Sequence, residues 1–591
     1  MENQTYYSNR ILSCNDAYNK ANRKYRLLGT LRLFTFILVA ASLFLFWGSS
    51  FLMIPFLGFL ILFLVFVNLS VNAKYLRDKQ KKLREINEEE INVLNGDWLH
   101  FKEGNEYKDP QHAFSHDMDL FGRKSIYQLL NRTVSRKGSD LLANQLKFGT
   151  TSRKLTNEAI LEFSSKMDWC QEFLAEGLVF EQDELDKEFQ NITRIEYSEK
   201  MFGKFLRYCI PVSSIFVTIL YSFDIITSPV FGMYTAILFL LFGSNLKHAN
   251  RVSSQVTGFS SQVKMFKRQL ELYKDLIIKS EELEKDRAKL FTNEQNLLDA
   301  LNQLEKIQQR MEYRMNWPVG LVLNFYFAWD FRVLNQWETW QRNNKQYIGQ
   351  WEFQLAQIEV WISGSVYKFN YPETTFAKFS TAEEIRITGM GHPFVQRQKR
   401  VVNDVQLNVA ENFLIITGPN MAGKSTYLRS LGLAFISANA GFPVLAENCE
   451  IPHLKLYSSM RTSDDLTVES SYFHAELTRL RFIMDAIEKG EKVFVILDEI
   501  LKGTNSKDKE IGSAKFLQKL QRLNSKGVIA THDLSLCNLA EQSISFKNMY
   551  FDSTIEGNEL AFDYKIRQGI CKNMNASFLL KKMNLVDDNS I

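Results

Sequence analysis

The sequence has no paired-cysteine motif. Its six cysteines, Cys14, Cys170, Cys209, Cys449, Cys537 and Cys571, lie far apart, with no CxxC and no metal-ligand spacing. Scattered thiols in a long chain read as reduced core or surface residues, which excludes a disulfide scaffold and a zinc module and points to the cytoplasm. Charge bias is missing as well: 71 Lys and Arg against 67 Asp and Glu leave a formal net charge of +4. An electrostatic footprint for nucleic acid would therefore have to be local. No cleavable signal peptide is expected, because the N-terminal apolar run is too long for one and lacks a cleavage site. Apolar residues, by contrast, are plentiful, with 45% hydrophobic residues and 46 phenylalanines, unevenly spread over 591 positions. That length allows three or four domains.

Charge is absent from Leu33 to Ser70. As one helix this run would be roughly 55 Å long, too long for a single crossing of a ~30 Å hydrocarbon core. Split at Gly48-Ser49-Ser50, it becomes a hairpin of two spans. A second run, Tyr208 to Leu246, holds one charge, Asp224, beside Ser222, Thr227, Ser228 and Pro229, which suit a turn between two more spans. Arg23, Lys24, Arg26 and Arg32 precede the first hairpin, and Lys74, Arg77 and Lys79 follow it; Lys200, Lys204 and Arg207 precede the second, and Lys247 and Arg251 follow. The positive-inside bias predicts a multi-pass protein of about four spans in the lipid bilayer, with both termini cytoplasmic. A third apolar stretch, Trp317 to Phe331, contains Asn324 and is too short to span; it predicts a buried or interfacial helix.

Asn412 to Thr426 reads NFLIITGPNMAGKST. Leu414-Ile415-Ile416 predicts a buried strand. Gly418, Pro419, Asn420, Met421, Ala422, Gly423, Lys424, Ser425 and Thr426 then match G-x-x-x-x-G-K-S/T. Glycines let backbone N–H groups wrap phosphate oxygens, and the following helix points its positive end at them. In this pattern Lys424 reaches the β- and γ-phosphates of ATP and Ser425 ligates Mg²⁺. Val493 to Glu499, VFVILDE, is an apolar strand ending in two carboxylates. Asp498 is placed to hold the Mg²⁺ shell and Glu499 to polarise the attacking water. After Val528-Ile529, His532 ends another strand, where it can sense the γ-phosphate.

GPNMAGKST is narrower than a general phosphate loop and resembles that of the DNA mismatch repair MutS family. Asn403-Asp404 and Gly391-His392-Pro393 match that family's lead-in. Ser463-Asp464-Asp465 is similar to its acidic pair, and Ser471-Tyr472-Phe473-His474-Ala475-Glu476 to its Ser-Thr-Phe-x-x-Glu signature. Leu497-Asp498-Glu499-Ile500 with Gly503-Thr504-Asn505 resembles its DEIGRGTS block, and Thr531-His532 its Ala-Thr-His. Upstream, Asp119-Leu120-Phe121-Gly122, Leu129 to Thr133 and Leu141-Leu142 look like the start of the family's core domain. The resemblance implies a two-headed homodimer in which Ser471 of one subunit completes the ATP site of the other. It also implies DNA binding, and lever helices that carry motion from the ATPase. Phe266, Leu270, Tyr273 and Ile277 form an apolar stripe suited to such a helix, as they would be to any core helix.

The sequence also departs from the family. Too few residues separate the first hairpin from the core-like block to hold the mismatch-reading domain, so Phe101-Lys102-Glu103 is an incidental match to its Phe-x-Glu wedge. Arg400 stands where many members stack an aromatic on adenine; it could stack as a cation–π partner. Glu469 replaces a signature glycine.

The architecture expected is an α/β P-loop NTPase domain of MutS type, preceded by a mostly α-helical core-like lever region with two transmembrane helical hairpins. The segments are 1–32 cytoplasmic, 33–70 first hairpin, 71–204 helical core, 205–246 second hairpin, 247–380 helical lever and 381–591 ATPase. Three functions stay open: a membrane-tethered ATPase that engages DNA, an ATP-gated membrane scaffold that does not, and an ABC-type transporter. The last lacks an LSGGQ signature and external loops long enough to shape a path.

Overall fold

In the computed structural model the chain is helical as far as Asn370, and strands first appear at Lys378. The structure describes residues 2–45, 53–180, 189–195, 197, 201–291, 296–461, 472–556 and 559–571. Two compact units are present, one of Met1–Ile91, Arg132–Leu141 and Ser165–Ile362, the other of Asn92–Asn131, Leu142–Ser164 and Ser363–Ile591.

In the first unit the uncharged run lies within two long helices, Glu2–Leu45 and Met53–Leu94. The turn expected at Gly48-Ser49-Ser50 falls outside the described residues. Leu33, Phe34, Ile37, Ile54, Ile61 and Leu64 are all exposed, so nothing among the described residues covers these faces. Beyond Ser70 the second helix turns polar, and it buries Asn87, whose amide exchanges two hydrogen bonds with that of Gln171, at 3.1 and 2.9 Å. The second apolar run forms Met201–Ser222 and Ser228–Thr257. Asp224 takes a left-handed φ of 55° in the turn between them, and Pro229 opens the second helix, where a missing N–H costs nothing. Ser213 and Ser214 each lie 2.8 Å from the Tyr234 hydroxyl and tie the two helices together.

Among the described residues three helices, Glu2–Leu45, Ile54–Leu94 and Gly203–Ser222, are long and apolar enough to cross a membrane by length and composition. Ser228–Gly243 with Leu246–Asp275, bent by 52°, makes a fourth if the pair counts as one span.

Two expectations need correction. Trp317 to Phe331 is not one helix: it breaks at Ala328, which adopts φ 50°, into Trp317–Phe327 and Trp329–Asn344. Of the first piece only Gly320 is buried, while Trp317, Val322 and Phe327 are exposed. This excludes the buried alternative and leaves an apolar surface helix. In the lever stripe, Phe266, Leu270 and Tyr273 are buried, but Ile277 is 80% exposed because the helix Ser260–Asp275 has already ended.

The polar side of the break is closed by a buried cluster. Asp330 accepts from Arg314 Nε and Nη2, each at 2.7 Å, and from Asn324 Nδ2 at 3.0 Å. Arg314 Nη1 donates to Asn250 at 2.8 Å.

Among the described residues the second unit contains twelve strands: β1 Lys378–Ser380, β2 Ile385–Met390, β3 Asn403–Leu407, β4 Phe413–Thr417, β5 Asn448–Pro452, β6 Lys455–Ser459, β7 Val493–Asp498, β8 Lys526–Ala530, β9 Phe546–Phe551, β10 Thr554–Glu556, β11 Glu559–Ala561 and β12 Ile566–Gln568. A six-stranded sheet has the order β12-β9-β4-β8-β7-β6, parallel except for β12. A four-stranded sheet, β1-β5-β2-β3, stands beside it in sequence. Strands β4, β7 and β8 are buried almost throughout because helices cover both faces of a parallel sheet. Phe413, Val495 and Ile529 face the helices Tyr472–Glu488 and Ser506–Arg522. On the opposite face Phe494 stacks on Phe435 of the helix Lys424–Ala440 at 4.3 Å. The carboxyl ends of β4, β7 and β8 therefore converge, the usual ligand position in such sheets.

Candidate ATP site

At the end of β4 the chain enters the phosphate loop through Gly418, at φ 145°. A Cβ there would lie 2.6 Å from the Phe551 carbonyl oxygen, so only glycine fits. Gly423, at φ 104°, caps the helix Lys424–Ala440. The loop thus delivers its backbone N–H groups and the positive helix end to one point.

The side chains gather there as the motifs predict. Ser425 Oγ donates to Asp498 Oδ2 at 2.8 Å. Two hard oxygen donors in contact fit the hydroxyl-plus-carboxylate half of a Mg²⁺ shell. Lys424 Nζ donates to the carbonyls of Gly418, at 2.8 Å, and Pro419, at 3.0 Å, and lies 3.2 Å from His532 Nε2. The same His532 nitrogen is 3.0 Å from Glu499. It can accept from Lys424 or donate to Glu499, but not both at once, so the imidazole tautomer selects between them. The hydrogen bond from His532, aided by Lys502, pulls the Glu499 carboxyl from its ordinary 4.5 to about 2. Burial lowers the Lys424 ammonium, opposed by Glu499 and Asp498.

Glu499 sits at φ 52° and Leu501 at φ 60°. Glu476 holds this strained turn: its buried carboxylate accepts from the Lys502 amide at 3.1 Å and from the Leu501 amide. Glu476 was quoted above only as part of a signature block; its role as a brace is visible only in three dimensions. The Asn403-Asp404 pair is likewise structural. Asn403 donates to the Tyr564 carbonyl at 2.9 Å and accepts from the Ile566 amide at 2.9 Å, and Asp404 accepts from the Gly389 amide at 2.8 Å.

Beside the loop lies a cavity of about 340 Å³, lined by His392, Arg400, Gly423, Tyr427 and Tyr564 among others. Arg400 does not present a free face to it. Its guanidinium is buried, donating to the Val395 carbonyl at 3.2 and 3.0 Å and pairing with Glu373 at 3.0 Å. These bonds occupy the edge of the guanidinium, while one face lies over the Tyr371 ring, 5.8 Å from its centroid. Tyr427, Phe551 and Tyr564 bring aromatic rings to this cavity, and that of Tyr564 lies 3.2 Å from a Cβ placed on Gly423. No motif flags Tyr564 in the sequence; Asn403 places it from another strand. Burial, with Arg429 and Arg400 nearby, pushes the His392 imidazole down to about 4, so it is neutral at pH 7. Ser471, Ser463-Asp464-Asp465 and Glu469 lie outside the described residues.

Residues 414–585 match the family model MutS domain V. Among curated proteins, the chain is 30% identical over 205 residues to the DNA mismatch repair protein MutS of Thermotoga sp. (strain RQ2), covering 34% of this chain and 25% of that protein. It is 30% identical over 222 residues to the DNA mismatch repair protein MutS of Thermotoga neapolitana, covering 37% and 27%. Against MutS protein homolog 4 of Homo sapiens it is 30% identical over 194 residues, covering 31% and 20%. The chain thus spans about a quarter of the length of the curated relatives it matches.

Proposed function

We propose that this chain, which belongs to the MutS family through its C-terminal ATPase domain, is a membrane-anchored ATPase that closes as a homodimer on ATP and couples that closure to DNA. The observation that carries the reading is the meeting of Ser425 with Asp498, and of Lys424 with His532 and Glu499, at three adjacent strand ends.

In this reading Lys424 leaves the Gly418 and Pro419 carbonyls and turns to the phosphates of ATP. Ser425 and Asp498 hold Mg²⁺, which supplies neutralisation of the developing phosphoryl charge. Glu499, whose carboxyl the His532 contact holds below its ordinary value, orients water for in-line attack. Because one His532 nitrogen serves either Lys424 or Glu499, departure of Lys424 frees it for the carboxylate. Ser471 of a second copy would complete the site across the dimer, and hydrolysis would release that closure. The exposed apolar helices support anchorage in a bilayer by about four spans, with both termini and the ATPase domain cytoplasmic. DNA engagement rests on the names of the relatives. The short spacing between the first apolar run and the core-like block argues against mismatch specificity.

The test is ATP turnover by detergent-solubilised protein with and without duplex, branched and single-stranded DNA, at low and moderate salt. Lys424→Ala and Glu499→Gln serve as controls. Stimulation by one DNA form, weakened by salt and absent from both variants, is expected. Turnover indifferent to every DNA form, with none retained at low salt, would leave an ATP-gated membrane scaffold in its place. ATP-driven solute flux in vesicles would instead favour a transporter.

A further inference from the structure

Among the described residues the six-stranded sheet ends at β6, which pairs only with β7. The Lys455 amide donates inward, to the Lys492 carbonyl at 2.9 Å, so by alternation the N–H and C=O of Leu456 and Ser458 point outward. The outward pair of Ser458 is satisfied: its amide donates to the Ala113 carbonyl at 3.0 Å and its carbonyl accepts from Arg479 at 2.8 Å. The chain has in effect added its own short segment to the far half of the edge. The outward pair of Leu456 finds no protein partner among the described residues.

A cavity of about 770 Å³ lies at that position. Its walls come from both faces of the sheet. Ile436 and Leu456 belong to the face covered by the helix Lys424–Ala440, and Tyr457 and Phe482 to the face covered by the helix Tyr472–Glu488. A space walled from both faces must run along the edge itself. Phe148, 74% exposed, stands at its mouth. Lys147, Arg153, Lys455 and Lys492 line it, and no Asp or Glu does. Lys455 and Lys492 are paired with Glu491 and Glu383, which do not line the cavity, whereas Lys147 and Arg153 have no carboxylate partner among the described residues. Arg153 instead lies over the Phe379 ring, at 4.6 Å. The two histidines at the cavity add no charge at pH 7: burial and Lys147 push His112 down to about 4, and burial with Arg153 lowers His453.

We propose that this edge is a docking site for an extended, acidic peptide segment of a partner protein, which adds a strand outside β6. Its backbone would meet the outward N–H and C=O of Leu456, its alternate side chains would fall against the two apolar walls, and its carboxylates would face Lys147 and Arg153. This is strand-addition recognition, in which main-chain bonds give affinity and alternate pockets give selectivity. A lipid headgroup or a nucleic acid could answer the cations, but neither carries the strand-spaced amides that Leu456 requires.

The probe is a fluorescein-labelled, capped peptide of alternating acidic and apolar residues, Asp-Phe-Glu-Leu-Asp-Val-Glu, titrated by anisotropy against the full chain in detergent. Saturable binding is expected, weakened roughly tenfold or more by Lys147→Glu or Arg153→Glu and by N-methylation of alternate peptide amides. ATP turnover should be unchanged in both variants, whose side chains lie away from the phosphate loop, and this guards against misfolding. The proposal is overturned if the peptide does not bind, if its lysine-substituted analogue binds equally, or if N-methylation has no effect. It is also overturned if oligothymidylate or phosphatidylserine vesicles displace the probe more effectively than unlabelled peptide.

Discussion

The Arg314–Asp330 pair offers a sharp test of how the first unit is held together. The two side chains are 3% and 4% exposed. Their bidentate contact is backed by Asn324 on the acid and Asn250 on the base. Asp330→Leu leaves a guanidinium buried with little but Asn250 to answer it. Arg314→Met leaves a carboxylate with only the Asn324 amide. Breaking a buried pair in this way costs about 3–5 kcal/mol, because the surviving charge stays out of water. The double replacement removes both charges and fills the space with carbon, so it should fall near neutral, within a few kcal/mol of the parent. A double-mutant cycle should therefore give a coupling of ~3 kcal/mol or more, at the upper end for contacting residues. Urea unfolding in mild detergent, followed by tryptophan fluorescence, reads it, since Trp329 and Trp337 lie on the same helix as Asp330. Single variants each costing less than about 1 kcal/mol, or a double variant equal to their sum, would show the cluster to be wet and loosely held.

Glu499→Gln should lower kcat by about 10²–10⁴-fold while leaving ATP bound, the loss expected of a general base; retained turnover would move that role elsewhere. The Glu499 carboxyl is depressed from 4.5 to about 2, so its His532 contact contributes fully above the ordinary value and is lost only as pH falls through about 2. Wild-type turnover should accordingly lack an acid limb from this group near pH 4 to 5, and His532→Ala should introduce one. Tyr564→Ala should raise the KM for ATP roughly tenfold, from a stacking contribution of about 1–3 kcal/mol; Arg400→Ala should instead lower thermal stability, and the reverse pattern would restore Arg400 to the base. Gly527→Ala places a Cβ 2.3 Å from the Val495 carbonyl oxygen and should destabilise the sheet by about 1–3 kcal/mol or more in denaturant titration.

The catalytic strands were readable because chemistry and folding left the same trace. Val493–Asp498 is apolar up to its closing carboxylate, and Gly418 of the phosphate loop stands where no Cβ fits. In the proposed membrane setting the apolar runs were readable for a similar reason, since a helix face turned to lipid must be apolar throughout. Residues that act across the fold were not. Arg400 occupies a recognisable position, but Val395 and Glu373, which claim its guanidinium, are not its sequence neighbours in any motif. Ile277 continued a perfect stripe, yet the helix stops at Asp275 without a glycine or proline to announce it. The basic and aromatic residues beside β6 come from separate segments around 111–114, 146–153 and 453–457, so no local cluster exists to be read.

The helix Met53–Leu94 has a mechanical consequence if its apolar part is embedded. It is apolar to Ser70 and then continues without a glycine or proline to its end. The apolar arm is roughly 27 Å long and the polar arm roughly 36 Å. With its fulcrum at the membrane surface, such a rod is a seesaw with nearly equal arms. A push of about 4 Å on the polar end would swing the far tip by roughly 3 Å in the opposite direction, almost undiminished. Work done in the aqueous phase would then be felt across the bilayer with no joint to absorb it.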